Sequence, residues 1–221
     1  MQFKKITFTF IFTALLIMQG QSQDLPLTDI ETSKPLKTDT DYKYFIRTSY
    51  YGFTNWLNVG IAPNIYFYEL HLGKKIDSKN EIGIKMARVK LFQPLGIQAW
   101  NVDLNSNSEW FPGRIEEYGI GFFYQRKLWK GLYASIEAVP YLKVFLDEKD
   151  QKIENGFRFY TSYHVGYHIP LFKNRMFIAP QIHCNYWPIN SKGPEGFREK
   201  SEKHNNYFLF EPNLYIGINF N

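Results

Sequence analysis

The chain has 221 residues, of which 44% are hydrophobic, 19% aromatic and 21% charged, and a formal net charge of +5. Basic and acidic residues, 26 against 21, are interleaved throughout, which excludes a basic stripe of the kind that tracks a nucleic-acid backbone. The only cysteine, Cys184, cannot form an internal disulfide, and a negative mean hydropathy beside so many aromatics suits alternating strands better than apolar helices.

Lys4 and Lys5 precede an apolar run from Ile6 to Met18, with Gly20 and Ser22 at small-residue spacing after it. This is the order of a secretory leader, and the run is shorter than the ~20 residues a spanning helix needs. Residues 1–22 therefore read as a signal peptide, residues 23–41 as a polar N-terminal extension, and residues 42–221 as one domain. No later segment reads as a membrane helix. Residence in lipid would then require a closed barrel, because an open sheet edge leaves backbone polar groups unsatisfied.

Eight strand-like runs follow, near Tyr42–Tyr50, Leu57–Leu70, Glu81–Phe92, Ile115–Gln125, Leu132–Phe145, Phe157–Ile169, Arg175–Trp187 and Tyr207–Phe220. The third slips phase near Ala87, which predicts a bulge there or a rim position for Arg88 and Lys90. The fifth alternates cleanly. Leu132, Ala134, Ile136, Ala138, Pro140, Leu142 and Val144 share one face, and Tyr133, Ser135, Glu137, Tyr141 and Lys143 share the other. In the last run Phe208, Phe210, Pro212, Leu214, Ile216, Ile218 and Phe220 fall together, opposite Leu209, Glu211, Asn213, Tyr215, Gly217 and Asn219. A carboxylate and amides on the enclosed face, with an apolar face outside, is the pattern of a barrel in lipid.

Connections after the second, fourth and sixth runs (His71–Asn80, Arg126–Gly131, Pro170–Asn174) are short, and those after the third, fifth and seventh (Gln93–Arg114, Leu146–Gly156, Pro188–Asn206) are longer on average. Only the first outer connection, Tyr51–Trp56, is short. Short turns at one end and long loops at the other are what transmembrane barrels show. With aromatics near strand ends (Trp56, Trp110, Trp129, Trp187) and a last strand ending Phe220-Asn221, the chain from about Tyr42 onward resembles the small eight-stranded outer-membrane barrels of Gram-negative bacteria. The fold expected is an all-β, closed antiparallel up-and-down barrel of eight strands, with ten as the alternative. The resemblance implies an outer-membrane location, contact with membrane lipids and lipopolysaccharide, and insertion by the barrel assembly machinery. It also implies loops open to an extracellular partner.

The predicted inward set is Lys43, Arg47, Glu81, Lys85, Glu117, Gln125, Glu137, Lys143, Arg158, Ser162, His164, Gln181, His183, Asn185, Glu211 and Asn213. Such a mixture of signs reads first as a plug of ion pairs filling a narrow barrel, with no open pore. That favours a non-enzymatic scaffold for envelope integrity or surface interaction, and no catalytic residue is assigned. The alternative is a lipid A or phospholipid deacylase or acyltransferase. If Phe172 and Lys173 form a two-residue turn, Ser162 faces His183 and His164 faces Gln181, with Glu211 able to orient an imidazole. This loosely resembles lipid A deacylases and acyltransferases built on such barrels, although Ser162-Tyr163-His164 runs opposite to the deacylase order.

His164 and His168 are four apart, which on a strand separates them by ~13 Å, so no metal site is expected. No cofactor is expected either. His71 and His204 read as solvated residues in connections, and Cys184 as filler on the apolar face. Pro63, Pro140, Pro180 and Pro212 interrupt strands on the outward phase, through local bulges or a weak seam. The charge run at Lys192, Glu195, Arg198, Glu199, Lys200, Glu202 and Lys203 reads as a solvated loop whose cations suit anionic headgroups. Trp100, Trp110 and Phe111 read as exposed aromatics for a partner, a glycan or an interfacial girdle.

Overall fold

The period-two alternation is realised as strands in a computed structural model that describes residues 42–57, 65–97 and 109–221. The strands are β1 (Tyr44–Ser49), β2 (Ile65–Lys75), β3 (Asn80–Leu91), β4 (Arg114–Trp129), β5 (Leu132–Leu146), β6 (Lys152–Tyr167), β7 (Ile169–Leu171), β8 (Met176–Asn190) and β9 (Tyr207–Phe220). Two short helices, α1 (Tyr50–Trp56) and α2 (Glu195–Ser201), lie in the connections. Sequential neighbours pair antiparallel from β1 to β6 and from β7 to β9, β1 pairs with β9, and β6 pairs with β8. Because β7 continues the line of β6 past His168, the result is a closed antiparallel barrel of eight strands. The leader, the extension, Pro63 and Trp100 lie outside the described residues.

The prolines mark where ladders stop. Pairing of β6 and β7 with β8 runs Gly166↔Gln181 and then Ile169↔Ile178, with Pro180 in the position between. Pairing of β4 with β5 passes from Gly119↔Tyr141 to Phe122↔Ala138, leaving out Pro140. Pro212 lies beyond the last β1–β9 pair, Ser49↔Tyr215. A residue without an N–H is tolerated at each place because the ladder is interrupted or has no neighbour there. All three side chains are exposed.

Several boundaries differ from the sequence reading. Tyr50–Trp56 is a helix rather than strand end and loop, and Leu57 is in a turn rather than in the second strand. Ser49 caps α1 by accepting a hydrogen bond from Gly52 N at 3.1 Å. The connection between β5 and β6 is only residues 147–151. There is no phase slip at Ala87, since β3 keeps one register with β2 and β4 along its length. What changes is the surroundings. Above Ala87 the inner face turns apolar with Val89 and Leu91, while Arg88 and Lys90 point outward at the rim.

The last strand does not alternate without a break. Phe210 has a φ of 57°, and the β8–β9 register shifts between His183↔Glu211 and Asn185↔Phe208. This bulge turns Phe208 inward, where its ring meets Trp187 edge-on at 5.4 Å between centroids. Trp187 is thereby buried, whereas Trp56 and Trp129 are exposed. At the turn end, Asp77 accepts from the Asn80 side chain at 2.7 Å and from Lys79 N and Asn80 N at 2.7 and 2.8 Å. These donors hold its carboxyl below the usual range.

The interior is layered rather than uniformly polar. Near the turns, Phe45, Phe123, Tyr133, Phe177, Ala179 and Tyr215 form one buried cluster. The ring of Phe45 lies so close over Gly73 that a Cβ there would sit 2.1 Å from it. Near the loops, Val89, Leu91, Phe111, Ile115, Val139, Phe145 and Phe197 form a second cluster. Phe197 comes from α2, so the predicted solvated charge run carries a hydrophobic anchor, and Phe111 is buried against it at 5.0 Å between ring centroids. Charged groups occupy the layer between.

Candidate functional site

Glu137, on the inward face of β5, is the hub of the middle layer and is fully buried. It accepts from Lys85 Nζ at 2.6 Å and from the Tyr215 hydroxyl at 2.9 Å. Arg47, His71 and His164 each approach one of its oxygens at 3.9, 3.7 and 3.6 Å. Lys85 also pairs with Glu69 at 2.8 Å. Two cations and two carboxylates therefore balance here, which is the condition for burying charge without a large penalty. Arg47 donates to Gln125 at 2.7 Å and to His71 Nδ1 at 3.1 Å, and its guanidinium lies 4.3 Å from the Tyr215 ring centroid and 4.6 Å from that of Phe123.

A second pair lies closer to the loops. Arg158 donates to Glu117 and stands over Tyr141, Tyr160 and Trp187, 5.4 to 5.9 Å from their ring centroids. Lys143 is buried and, among the described residues, has no carboxylate within ion-pair distance, donating instead to Asn190 Oδ1 and Ser191 O at 2.8 and 2.9 Å. Glu81 accepts from Gln125 at 2.9 Å. Gln181 accepts from the Tyr133 hydroxyl at 2.9 Å. Of the predicted inward set, Lys43 is exposed, and His183, Glu211 and Asn213 are half-buried.

Two members of the middle layer escaped the sequence reading. Glu69 and His71 are both buried, with His71 Nε2 3.3 Å from Glu69. His71 is therefore a core residue, not a solvated one. The signal was present, because Glu69 lies inside the second run and His71 and Gly73 continue its alternation with Leu70 and Leu72. His204 does lie in a connection, half-buried against Glu109 at 3.2 Å. Cys184 is a free, half-buried cysteine opposite Tyr163.

The candidate catalytic residues meet in a different register from the one expected. The β7–β8 turn holds four residues, Phe172 to Arg175, of which Phe172, Lys173 and Asn174 have positive φ. Ser162 consequently faces Asn185, and His164 faces His183. Ser162 Oγ donates to Asn185 Oδ1 at 2.5 Å. His183 Nε2 lies 2.9 Å from Glu211 and 3.3 Å from Asn185 Nδ2. The His164 and His183 rings are 5.2 Å apart, and neither His164 nitrogen makes a hydrogen bond.

Comparisons with protein-family models, with curated proteins and with solved structures found no match. Among the described residues, no group of three or more potential ligands is placed to hold a metal. The arrangement is a hydroxyl, an amide, an imidazole and a carboxylate in a row. Chemically, the amide interposed after Ser162 gives its proton an acceptor of negligible basicity. The histidine–carboxylate pair is the part of the row with acid–base capacity.

Proposed function

We propose that the protein is a non-enzymatic outer-membrane barrel, inserted by the barrel assembly machinery and surrounded by lipids and lipopolysaccharide. In this reading its loop end serves envelope integrity or an extracellular partner. The observation that carries the reading is the bond from Ser162 to Asn185, which occupies the nucleophile candidate named above with a non-basic acceptor. The layered interior leaves the charges to each other and supports a barrel without an open pore. Outward Ile82, Ile84, Ile120, Phe122, Leu142 and Val165 are all exposed. A barrel in water would have these side chains inside, so they support residence in lipid.

Fractionation tests the location. The protein is expected with the outer membrane, soluble only in detergent and shifting on gels when heated. Recovery in the periplasmic wash with no heat shift would refute it.

His183 beside Glu211 favours a second reading, an acyl-modifying enzyme acting on lipid A or phospholipids. Mass spectrometry of lipids from cells with and without the protein separates the two. The scaffold reading expects identical acyl-chain numbers. A difference that disappears in Ser162→Ala or His183→Ala would make the barrel an enzyme.

A further inference from the structure

The outer wall carries an apolar groove of about 670 Å³ whose lining includes Trp56, Leu70, Met86, Ile120, Pro140 and Leu142. It crosses β2 to β5 where the β4–β5 ladder is interrupted at Pro140. The register places Leu70, Met86 and Ile120 side by side on adjacent strands. Two residues further toward the loops stand Arg88 and Tyr118, and two beyond those stand Lys90 and Glu116. At the rise of a strand these rows lie ~7 Å and ~13 Å above the apolar row.

The upper rows are charged in an unusual way for an outer surface. The Glu116 side chain is only 8% exposed, yet it gathers Arg88 at 2.9 Å, Arg114 at 3.1 Å and Lys90 at 3.8 Å. The Tyr118 hydroxyl donates to it at 2.6 Å. Arg114 also pairs with Asp150. Three cations thus face two carboxylates, and the Arg88 and Lys90 side chains remain 46% and 31% exposed. The enclosed carboxylate fixes the cations in place without using all their donors, since a guanidinium has five and an ammonium three.

We infer that this groove and its cation row form a binding site for an anionic phospholipid, one whose phosphate charge no headgroup cation balances. An acyl chain lies along Leu70, Met86, Ile120 and Leu142, and the phosphate sits on Arg88 and Lys90. The inference rests on the proposed residence in lipid and adds a defined lipid class and place to it. Apolar surface directly below held cations matches the order of chain and headgroup in an anionic lipid. Charge-assisted contacts from guanidinium and ammonium to phosphate are among the stronger polar contacts.

The test is native mass spectrometry of the detergent-purified full chain with added phosphatidylglycerol or phosphatidylcholine. Phosphatidylglycerol is expected to be retained preferentially, and Arg88→Gln/Lys90→Gln should lower its retention by about tenfold while phosphatidylcholine is unaffected. Ile120→Asn should weaken both lipids. Equal retention of the two lipids by the wild type, or unchanged preference in the double variant, overturns the inference. So does displacement of phosphatidylglycerol by millimolar inorganic phosphate, which would mark a free-phosphate site. Because the protein must first be recovered from the membrane with a heat-shifted band, loss of lipid preference there would count against this site and not against the location.

Discussion

Glu137→Ala is expected to destabilise the barrel by about 3–5 kcal/mol, the largest effect of any single substitution in the lumen. The substitution removes the shared acceptor of Lys85 and Tyr215 and the counter-charge nearest Arg47. Glu69 alone would then face two buried cations, with the histidines beside them. Leaving a charge unpaired in a site sealed above and below by aromatic clusters costs far more than the net worth of the original pair. Thermal unfolding in detergent, followed by the loss of the compact band on gels, gives the measurement. An unfolding midpoint equal to that of the wild type would show that water reaches this layer and screens it. Glu137→Gln should fall between, since an amide keeps an acceptor for Tyr215 but not the charge.

Phe197→Ala is expected to have the second largest effect, and a different signature. The ring is buried against Phe111 and Phe145, with centroids at 5.0 and 5.3 Å. Truncating a buried phenylalanine commonly costs about 3–5 kcal/mol. Here the cost is limited by the free energy that docks α2, because the helix can leave the barrel mouth without unpairing any strand. The expected result is rapid tryptic cleavage after Arg198, with the midpoint of barrel unfolding little changed. Planar-bilayer recordings should still show no large, steady conductance, because the middle layer remains filled. A conducting variant would place the seal at α2 alone.

The fold was legible where side-chain alternation is strict. Strand β5 shows its two faces in the sequence because Tyr133, Ser135, Glu137, Tyr141 and Lys143 stand between apolar outward neighbours, and the structure buries all five. The sequence was silent where backbone conformation departs from residue preference. Phe210 and the run Phe172 to Asn174 adopt positive φ without a glycine among them, and nothing local announces such a turn. That one turn decides the partners of Ser162 and His164. A shift of two along a strand keeps both residues inside the barrel while replacing each facing residue, so composition of the lumen was predictable and its pairs were not. The exchange of apolar for charged side chains at Ala87 also resembled a slipped strand, although it marks a change of layer.

The brevity of β1 has a consequence for how the ring comes together. Its six residues pair with β9 from Tyr44↔Phe220 to Ser49↔Tyr215, joining opposite ends of the domain. Every other seam joins strands that are near neighbours along the chain and can zip from a local hairpin or turn. This one must gather the whole domain before its first hydrogen bond forms, so it carries the largest loop-closure entropy in the barrel. It does so with the shortest of the eight staves, since the chain above Ser49 turns into α1. Assembly of the hairpins from β2 to β9 thus precedes the final suture, and the seam that closes the wall last is one of the two short ones made by β1.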